Sequence, residues 1–391
     1  MTRDFKEYVT ANGEVILYVG KPDLQKLEDL ASGPGDIWHS SFEQGFKNAF
    51  PELAYQVMVF FWYIRDFDNL DVCVSWRVNP FAFAVRKSVW EFYGGFRDYE
   101  NPMVQALDFG FNTLSHGALP LYVKGLFVDA APQKIAISVK DRHIFFRKNF
   151  KPEQAIYMIY RKGMWKPAEW SAFFYAKKHA KRLPKPPYLP ARKLMEMQGN
   201  PSVSYIIPTM SRQDYTLQLL GDLQAQTYIP AQVVVVDATP EDQRDESLYD
   251  PKKYPFTLDV IWQKSKGSCR ARNEAIDICT GDFIIFGDDD IRLKSDFVEN
   301  HIRFLQTYGV GAANGLDIRA DHHRDGLDVL EEKLEKRGTK RFLAGAAHLM
   351  SNSNACVKRE YVDKIIGNDI NYDGGYGEDN DFGLTLVKEG F

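Results

Sequence analysis

The chain has 391 residues, of which 45% are hydrophobic and 26% charged, with a formal net charge of −4 at pH 7. These values indicate an ordinary globular protein with room for two domains. The longest intensely apolar run, residues 57–64, is too short to cross a bilayer, which takes about 20 residues, and the N-terminus lacks a signal-peptide pattern. Four scattered cysteines without CxxC spacing argue against a structural zinc site or a disulfide framework. We therefore expect a cytoplasmic protein.

Positive charge is concentrated in residues 140–193, which carry fifteen Lys or Arg against three Asp or Glu. The stretch "RLPKPPYLPARK" within it is rich in proline, which interrupts regular structure. We therefore predict a basic, helical and proline-rich linker over residues 151–200, between a module at 1–150 and a domain at 201–391. Just before the prolines, Trp170, Phe173 and Phe174 have helical spacing, followed by a basic cluster. This segment is interpreted either as an interdomain helix or as a surface that rests on anionic lipid.

Beyond the linker, short β-branched runs alternate with segments of helical periodicity from residue 202 to 290. This alternation predicts a parallel sheet flanked by helices, in which ligands bind beyond the carboxyl ends of the strands. Polar residues follow three of the predicted strands: Thr209 with Arg212, then Asp237, then Asp288, Asp289 and Asp290. A single aspartate at a strand end is often only a turn former, so the hypothesis of a ligand site rests on all three together.

Four segments carry a family resemblance: "SVSYIIPTMSR", "VVVVDATP", "KGSCRARNEAIDICTGDFIIFGDDDI" and "GGYGEDNDFGLTL". In order and approximate spacing they resemble the glycosyltransferases of family 2, which have the Rossmann-like GT-A fold. The resemblance covers residues 202–391, about half of the chain. It implies an α/β fold with a mostly parallel sheet, a nucleotide-sugar donor and a divalent cation, Mn²⁺ or Mg²⁺, held by a strand-end Asp-x-Asp motif.

The resemblance also assigns the donor site. It implies that Asp290 binds the cation and that Asp288 assists it through the ribose or a metal-bound water, while Asp289 between them is the least certain of the three. Hard oxygen ligands suit such cations, which neutralise the departing diphosphate. The remaining implied nucleotide-sugar contacts are Thr209, Arg212, Asp237, Lys266 and Arg272. A UDP-sugar is the expected donor, although Ala238 stands where many relatives have a second acidic residue beside Asp237.

The aspartate triplet has other interpretations. A calcium-binding EF-hand loop would need further oxygen ligands, a central glycine and a terminal glutamate, whereas "DDDIRLKSDFVE" turns apolar and basic. A sugar nucleotidyltransferase would carry a glycine-rich phosphate loop after its first strand, where this chain has "PTMSRQD". A solvated acidic turn is the structural alternative.

A second acidic group, Glu378, Asp379 and Asp381, opens a predicted helix after a glycine-rich loop. Acidic residues are stabilised in a first helical turn by the helix dipole, which is a structural explanation in itself. The resemblance implies that Asp379 is the general base toward the acceptor hydroxyl and that Glu378 hydrogen-bonds a sugar. His348 and Asp381 are weaker candidates for acceptor contacts, and the catalytic domain is expected to extend past Phe391.

The N-terminal half contains a faint echo of this region. The segment "AVRK…ALDFGF" at 84–111 resembles "CVKR…EDNDFGL" at 356–384, and in this alignment Glu378 and Asp379 fall opposite Gln105 and Ala106. The base is therefore missing from the first copy. We interpret residues 1–150 as a degenerate GT-A-like module, with an unrelated α/β accessory domain as the alternative.

Together these patterns predict an inverting, metal-dependent glycosyltransferase. Its acceptor is expected to be a saccharide or lipid-linked saccharide in bacterial surface polysaccharide synthesis. The alternatives are a sugar nucleotidyltransferase and a non-catalytic saccharide-binding or scaffold protein. We expect a cytoplasmic location, with peripheral contact to anionic lipid on the inner face of the membrane, and no nucleic acid partner.

Overall fold

A computed structural model describes residues 5–40, 70–127, 137–264, 266–322, 325–338, 344–347, 349–365 and 367–391. The chain divides into two compact units, Met1–Ala191 with Phe342–Ala346, and Arg192–Arg341 with Ala347–Phe391. The division after Ala191 lies inside the proline-rich stretch. No helix among the described residues is long and apolar enough to cross a membrane.

The described part of the first unit has a six-stranded mixed sheet in the order β1-β2-β5-β3-β6-β4. Strands β3 and β6 are parallel, and the other neighbours are antiparallel. The strands are β1 Lys6–Val9, β2 Val15–Val19, β3 Ile37–His39, β4 Val72–Val74, β5 Phe83–Arg86 and β6 Pro120–Val123. This unit is therefore also α/β, as expected for residues 1–150.

The described helices of the first unit are α1 Leu24–Ala31, α2 Lys87–Tyr93, α3 Pro102–Leu114, α4 Val139–Asn149, α5 Pro152–Lys162 and α6 Pro167–His179. Residues of α5 join the buried cluster of α3 and α4, where Ala155 and Met158 pack with Phe145 and Phe146. Helix α6 is tied to α4 because the buried Glu169 accepts a hydrogen bond of 2.8 Å from His143. Helices α5 and α6 thus pack in the first unit, and the linker boundaries at 151 and 200 stay a prediction.

The described part of the second unit has a six-stranded sheet in the order β11-β12-β10-β7-β8-β9. Strands β7 to β10 are parallel, whereas β12 runs antiparallel to both β10 and β11. The strands are β7 Val203–Thr209, β8 Gln232–Asp237, β9 Thr257–Trp262, β10 Phe283–Gly287, β11 Ala312–Asn314 and β12 Asn354–Lys358. The described helices are α7 Gln213–Gln224, α8 Ser268–Ile278, α9 Phe297–Tyr308, α10 Leu327–Arg337, α11 Arg359–Val362 and α12 Glu378–Lys388.

Both faces of this second sheet are buried. Alternate residues of one strand point to opposite faces, so Val233 and Val235 pack toward α7 and α9, and Val234 and Val236 toward α8 and α12. Burial on both sides explains why these strands are continuous apolar runs rather than alternating ones. The predicted α/β fold with a mostly parallel sheet flanked by helices is confirmed.

The echo noted in the sequence has a structural counterpart. Strands β5 and β12 each lead directly into a short helix, and the residues at the junctions, Arg86 and Lys358, share φ −59° and ψ 130°. The later helices α3 and α12 each bring a glycine close to neighbouring backbone. A Cβ added to Gly110 would lie 2.1 Å from the Trp76 carbonyl oxygen, and one added to Gly383 would lie 2.9 Å from Leu349 Cα. These parallels support the degenerate-module interpretation, which stays a proposal.

Candidate active site

Three predicted strand ends meet at one edge of the second sheet. Thr209 at the end of β7 lies in register with Asp237 at the end of β8. Asp288 follows Gly287, the last residue of β10, and β10 is parallel to β7. The polar residues singled out in the sequence are thus brought to the carboxyl edge of the sheet, where α/β proteins bind ligands.

Asp289, the middle aspartate, is held by the protein itself. Its side chain is buried, accepts a hydrogen bond of 2.7 Å from Thr209 and lies 3.1 Å from the Arg212 guanidinium. Burial raises the pKa of Asp289, while the contacts with Thr209 and Arg212 oppose this. Thr209 and Asp289 thus fix the loop to the strand, and the nucleotide-sugar contacts expected of them stay a prediction.

Asp290 is half-exposed and lies 2.8 Å from Arg212. One guanidinium therefore neutralises two consecutive aspartates. Backbone geometry helps to aim it, because the preceding residue, Ser211, has a left-handed conformation with φ 57°. Arg212 was expected to contact the nucleotide sugar, and here it is the internal counter-ion of the acidic loop.

Asp288 is paired with a buried arginine. Arg272 in α8 is 4% exposed, and its Nη2 donates a hydrogen bond of 2.7 Å to Asp288 Oδ1. The other two guanidinium nitrogens, Nε and Nη1, are buried and have no hydrogen-bond partner among the described residues. Burial raises the pKa of Asp288, Asp290 and Asp379 raise it further, and only Arg272 opposes the shift. Asp288 therefore lies among more negative than positive charge. Two nitrogens of Arg272 lack a hydrogen-bond acceptor among the described residues.

The second acidic group lies at the start of α12. The Asn352 main-chain N–H donates a hydrogen bond of 3.0 Å to Asp379 Oδ1, and the Met350 N–H donates one of 3.0 Å to the Asp379 carbonyl oxygen. Burial raises the pKa of Asp379 and Glu378 adds to this, while the hydrogen bond from the Asn352 main chain and the charge of Arg272 oppose it. The net direction is upward, which suits a carboxylate that accepts a proton near neutral pH.

Glu378 and Asp381 lie beside Asp379 in the first turn of α12 and are partly exposed. Burial raises the pKa of Asp381, and Asp369 contributes in the same direction. His348, the other candidate for the acceptor, lies outside the described residues. The helix is seated against the loop before β12 through Gly383, whose hydrogen faces Leu349 and Met350.

Asp237 points into the protein. It is fully buried, one of its oxygens accepts hydrogen bonds from the Thr239 N–H and hydroxyl, and the other accepts one of 3.0 Å from the Tyr249 hydroxyl. A contact with the base or ribose was expected of this residue. Its carboxylate instead fixes the loop that follows β8.

Lys266, expected to approach the diphosphate, is exposed just before α8. Gly267 next to it has φ 157°, and an added Cβ would meet Asp373 Oδ2 at 2.2 Å. Asp373 accepts a hydrogen bond of 2.7 Å from the Cys269 N–H and lies 3.3 Å from Arg270 Nε. It thus provides an acceptor for one of the main-chain N–H groups that the first turn of α8 leaves without a partner inside the helix.

The acidic loop has the donor chemistry for a cation that is shared with a ligand. Among the described residues, no three His, Cys, Asp or Glu side chains are grouped closely enough to hold a metal ion. The loop offers two partly exposed carboxylates, Asp288 and Asp290, and the charge of Asp290 raises the pKa of Asp288. One or two carboxylates together with substrate phosphates are a common ligand set for Mg²⁺. These residues therefore fit a cation held jointly with a diphosphate.

Sequence reasoning missed several residues that build the site. Asn352 positions Asp379, yet it lies in "LMSNSN", which matches no motif; its amide oxygen and nitrogen are buried without a hydrogen-bond partner among the described residues. Asp373 was overlooked although it directly precedes the glycines of the quoted motif. Its position just before that motif is the one signal that could have identified it.

Comparison with known proteins finds a related family and several relatives. Residues 204–366 match the family described as Glycosyl transferase family 2. "Putative teichuronic acid biosynthesis glycosyltransferase TuaG" of Bacillus subtilis (strain 168) is 26% identical over 106 residues, which are 27% of this chain and 42% of that protein. Glycosyltransferase GlyA of Streptococcus pneumoniae serotype 4 is 25% identical over 113 residues, 29% of this chain and 16% of that protein. The matches thus span less than half of these relatives.

Among solved structures, the mannosyltransferase PcManGT from Pyrobaculum calidifontis, in complex with GDP-Man and Mn²⁺, is similar with 22% identity and a TM-score of 0.37, over 49% of this chain and 52% of that one. The family match covers all but two residues of the first of the four motifs that carried the resemblance, covers the second and third in full, and ends before the fourth, which begins at Gly374. The resemblance to the glycosyltransferases of family 2 is confirmed over residues 204–366, which are less than half of this chain.

Proposed function

We propose that the second unit transfers a sugar from a nucleotide-sugar donor to an acceptor hydroxyl, with inversion at the anomeric carbon. The observation that carries this proposal is the position of Arg272. Its Nη2 lies 2.7 Å from Asp288 Oδ1, and its positive charge opposes the burial that raises the pKa of both Asp288 in the strand-end loop and Asp379 in α12. Two acidic motifs about 90 residues apart therefore form one electrostatic cluster. One motif is suited to the donor diphosphate and the other to the acceptor.

The donor diphosphate binds, in this proposal, against Asp288 and Asp290 on one side and Arg272 and Lys266 on the other. The two unpaired guanidinium nitrogens of Arg272 supply the donors, because charge-assisted hydrogen bonds to phosphate are stronger than neutral ones. A Mn²⁺ or Mg²⁺ ion shared with the carboxylates would neutralise the leaving diphosphate. A UDP-sugar is the proposed donor, with Asp237 shaping the base-side loop from within.

Transfer breaks one bond and forms another. The acceptor hydroxyl oxygen attacks the anomeric carbon from the face opposite the diphosphate, the bond from that carbon to the diphosphate oxygen breaks, and the nucleoside diphosphate leaves with the electron pair. Asp379 accepts the hydroxyl proton as the new glycosidic bond forms. Asn352 holds Asp379 in position for this step, and Glu378, Asp381 and His348 are the proposed acceptor-side contacts.

The proposed acceptor is a saccharide or lipid-linked saccharide in the synthesis of a bacterial surface polysaccharide, at the cytoplasmic face of the membrane. This substrate class comes from the relatives, one of which is described as acting in teichuronic acid biosynthesis.

The Asp379→Asn variant tests the role of the base. The change keeps the size of the side chain but removes its basicity, so sugar transfer should fall by at least about 100-fold while donor affinity changes less than about threefold. Gln105→Ala, at the aligned position of the first unit, is the matched control and should transfer normally. If Asp379→Asn transfers normally and Glu378→Gln does not, the base is Glu378; normal transfer by both variants would remove this acidic pair from the mechanism.

Calorimetry with UDP tests the shared cation. Without a cation, Asp288 and Asp290 repel a diphosphate, so binding should be weak in EDTA and restored by Mn²⁺. Asp290→Asn should bind weakly under both conditions. Equal affinity in EDTA and Mn²⁺ would contradict the metal role, and pyrophosphate release from a sugar phosphate with a nucleoside triphosphate would identify a nucleotidyltransferase instead.

A further inference from the structure

Helix α5 exposes large aromatic side chains on the face that points away from the core. Ala155, Met158 and Ile159 are buried against the first unit, as expected for a helix that packs on a core. On the opposite face, between the exposed Glu153 and Arg161, Tyr157 and Tyr160 are 45% and 62% exposed and stack with ring centroids 6.4 Å apart. A packed helix ordinarily presents polar residues to water, so the composition of this outer face requires a separate explanation.

The turn between α5 and α6 extends this face. Met164 is 50% exposed and Trp165 is 82% exposed, the latter with its ring against the backbone of Gly163. The turn is held in place because Trp170 Nε1 donates a hydrogen bond of 2.7 Å to the Met164 carbonyl oxygen. Phe174 stacks on Trp170 and is 57% exposed. We refer to Tyr157, Tyr160, Met164, Trp165 and Phe174 as the aromatic surface.

This surface differs from the one that helical spacing predicted. Trp170, Phe173 and Phe174 were expected to share one outward face. In the structure Phe173 packs against the buried cluster that contains Phe145, and Trp170 holds the turn. Only Phe174 of the three contributes a largely exposed ring. Trp165, the most exposed side chain of the aromatic surface, lies outside the predicted helix face.

The segment that carries the aromatic surface is strongly basic. Residues 151–182 contain eight Lys or Arg and two acidic residues, and one of the two, Glu169, is buried in its pairing with Arg142 and His143. The basic residues are Lys151, Arg161, Lys162, Lys166, Lys177, Lys178, Lys181 and Arg182. Exposed aromatic rings in a basic segment match the interface of an anionic membrane, where the rings enter the headgroup region and the cations meet lipid phosphates.

We infer that the aromatic surface docks the first unit onto an anionic lipid bilayer. Trp165 and Met164 enter the interface, Tyr157, Tyr160 and Phe174 lie along it, and the Lys and Arg of this segment bind the lipid phosphates. The occupant is a lipid surface rather than another protein because the charge is of one sign and is carried on long, flexible side chains in the same segment as protruding rings. This inference is independent of glycosyl transfer, although docking would bring the second unit to a lipid-linked acceptor.

Vesicle sedimentation of the full chain tests the docking. Binding is expected to vesicles that contain phosphatidylglycerol, to be absent with phosphatidylcholine alone, and to weaken as salt is raised. The double change Lys177→Gln with Lys178→Gln should lower the partition coefficient by about 30-fold, and Trp165→Ser by at least about tenfold. Phe81→Ala is the matched control, because Phe81 is 59% exposed in the same unit with no Lys or Arg within three residues, and it should bind like the wild type.

Quenching by brominated lipid gives a second measurement that does not depend on a weakened variant. Tryptophan fluorescence should be quenched on anionic vesicles, and the quenched component should be lost in Trp165→Phe. Indifference to lipid charge, or equal weakening by Phe81→Ala, would overturn the inference. Binding that depends on Lys177 and Lys178 but not on Trp165 would also overturn it, because it would show adsorption by charge alone.

Discussion

Replacing Arg272 by methionine should separate function from stability. The change keeps an apolar stem of similar length and removes the guanidinium. What is lost is the pair with Asp288, whose side chain is 39% exposed, so solvent limits the value of that pair to about 1–2 kcal/mol. What is gained is the removal of two buried nitrogens without partners among the described residues, each costing about 1–3 kcal/mol. The free energy of unfolding should therefore stay unchanged or rise.

The opposite is expected for ligand binding. If the diphosphate supplies the missing acceptors, loss of even one charge-assisted hydrogen bond, worth about 1.5–3 kcal/mol, lowers UDP affinity by about 10- to 150-fold. Urea unfolding measures the first effect, and calorimetry with UDP and Mn²⁺ measures the second. Arg303→Met is the control and should leave UDP affinity unchanged, because Arg303 lies in the same unit but in the middle of α9, where it donates to the Leu194 and Met195 carbonyl oxygens. A variant at Arg272 that unfolds more easily by over about 3 kcal/mol yet binds UDP normally would refute the reasoning, since Arg272 would then be structural only.

Three further outcomes follow from the described contacts. Because the pKa of Asp379 is raised and the base must be unprotonated, kcat/KM should fall as pH decreases through a value above about 3.9, and a pH profile of Asp379→Asn should lack this limb. Burial lowers the pKa of His301 to about 4, so as pH falls the unfolded state takes up the His301 proton before the folded state does. The free energy of unfolding should therefore fall by up to about 3 kcal/mol between about pH 6.5 and 4 and then level off. Urea unfolding of His301→Gln should show a smaller fall. In Gly287→Ala the new Cβ would lie 2.2 Å from Tyr205 Oη, so thermal unfolding should show a loss of about 1–3 kcal/mol, and Tyr205→Phe should relieve part of it.

The local sequence pattern was sufficient to predict the parallel sheet and flanking helices of the second unit. The run Val233–Val236 is uniformly β-branched, and a strand of this kind is stable only where both faces are covered, which fixes a parallel sheet with helices on each side. Parallel strands then bring Thr209 and Asp237 to one edge without any further information.

The partners of the polar side chains could not be predicted in the same way. Arg212 stood at the right edge, but its pairing with Asp289 and Asp290 depends on backbone geometry at Ser211 that no periodicity encodes. Asp237 stood at the same edge, and no periodicity encodes its full burial or its hydrogen bonds from Thr239 and from Tyr249, twelve residues later.

Helical spacing was similarly ambiguous for α6. It placed Phe173 and Phe174 together, although neighbouring positions differ by about 100° around a helix and a wide apolar face can leave one buried and the other exposed. The exposed rings of α5 could not be predicted from the sequence, since every residue of "AIYMIY" has a largely apolar side chain and the run does not show which side meets the core.

Release of nucleoside diphosphate from a panel of nucleotide sugars tests the central claim most directly. The wild type should release nucleoside diphosphate from at least one sugar donor when Mn²⁺ and a saccharide acceptor are present, and this release should stop in EDTA and fall by at least about 100-fold in Asp379→Asn. Equal release by the wild type and Asp379→Asn would contradict the claim that the strand-end aspartates and the first turn of α12 form one glycosyl-transfer site.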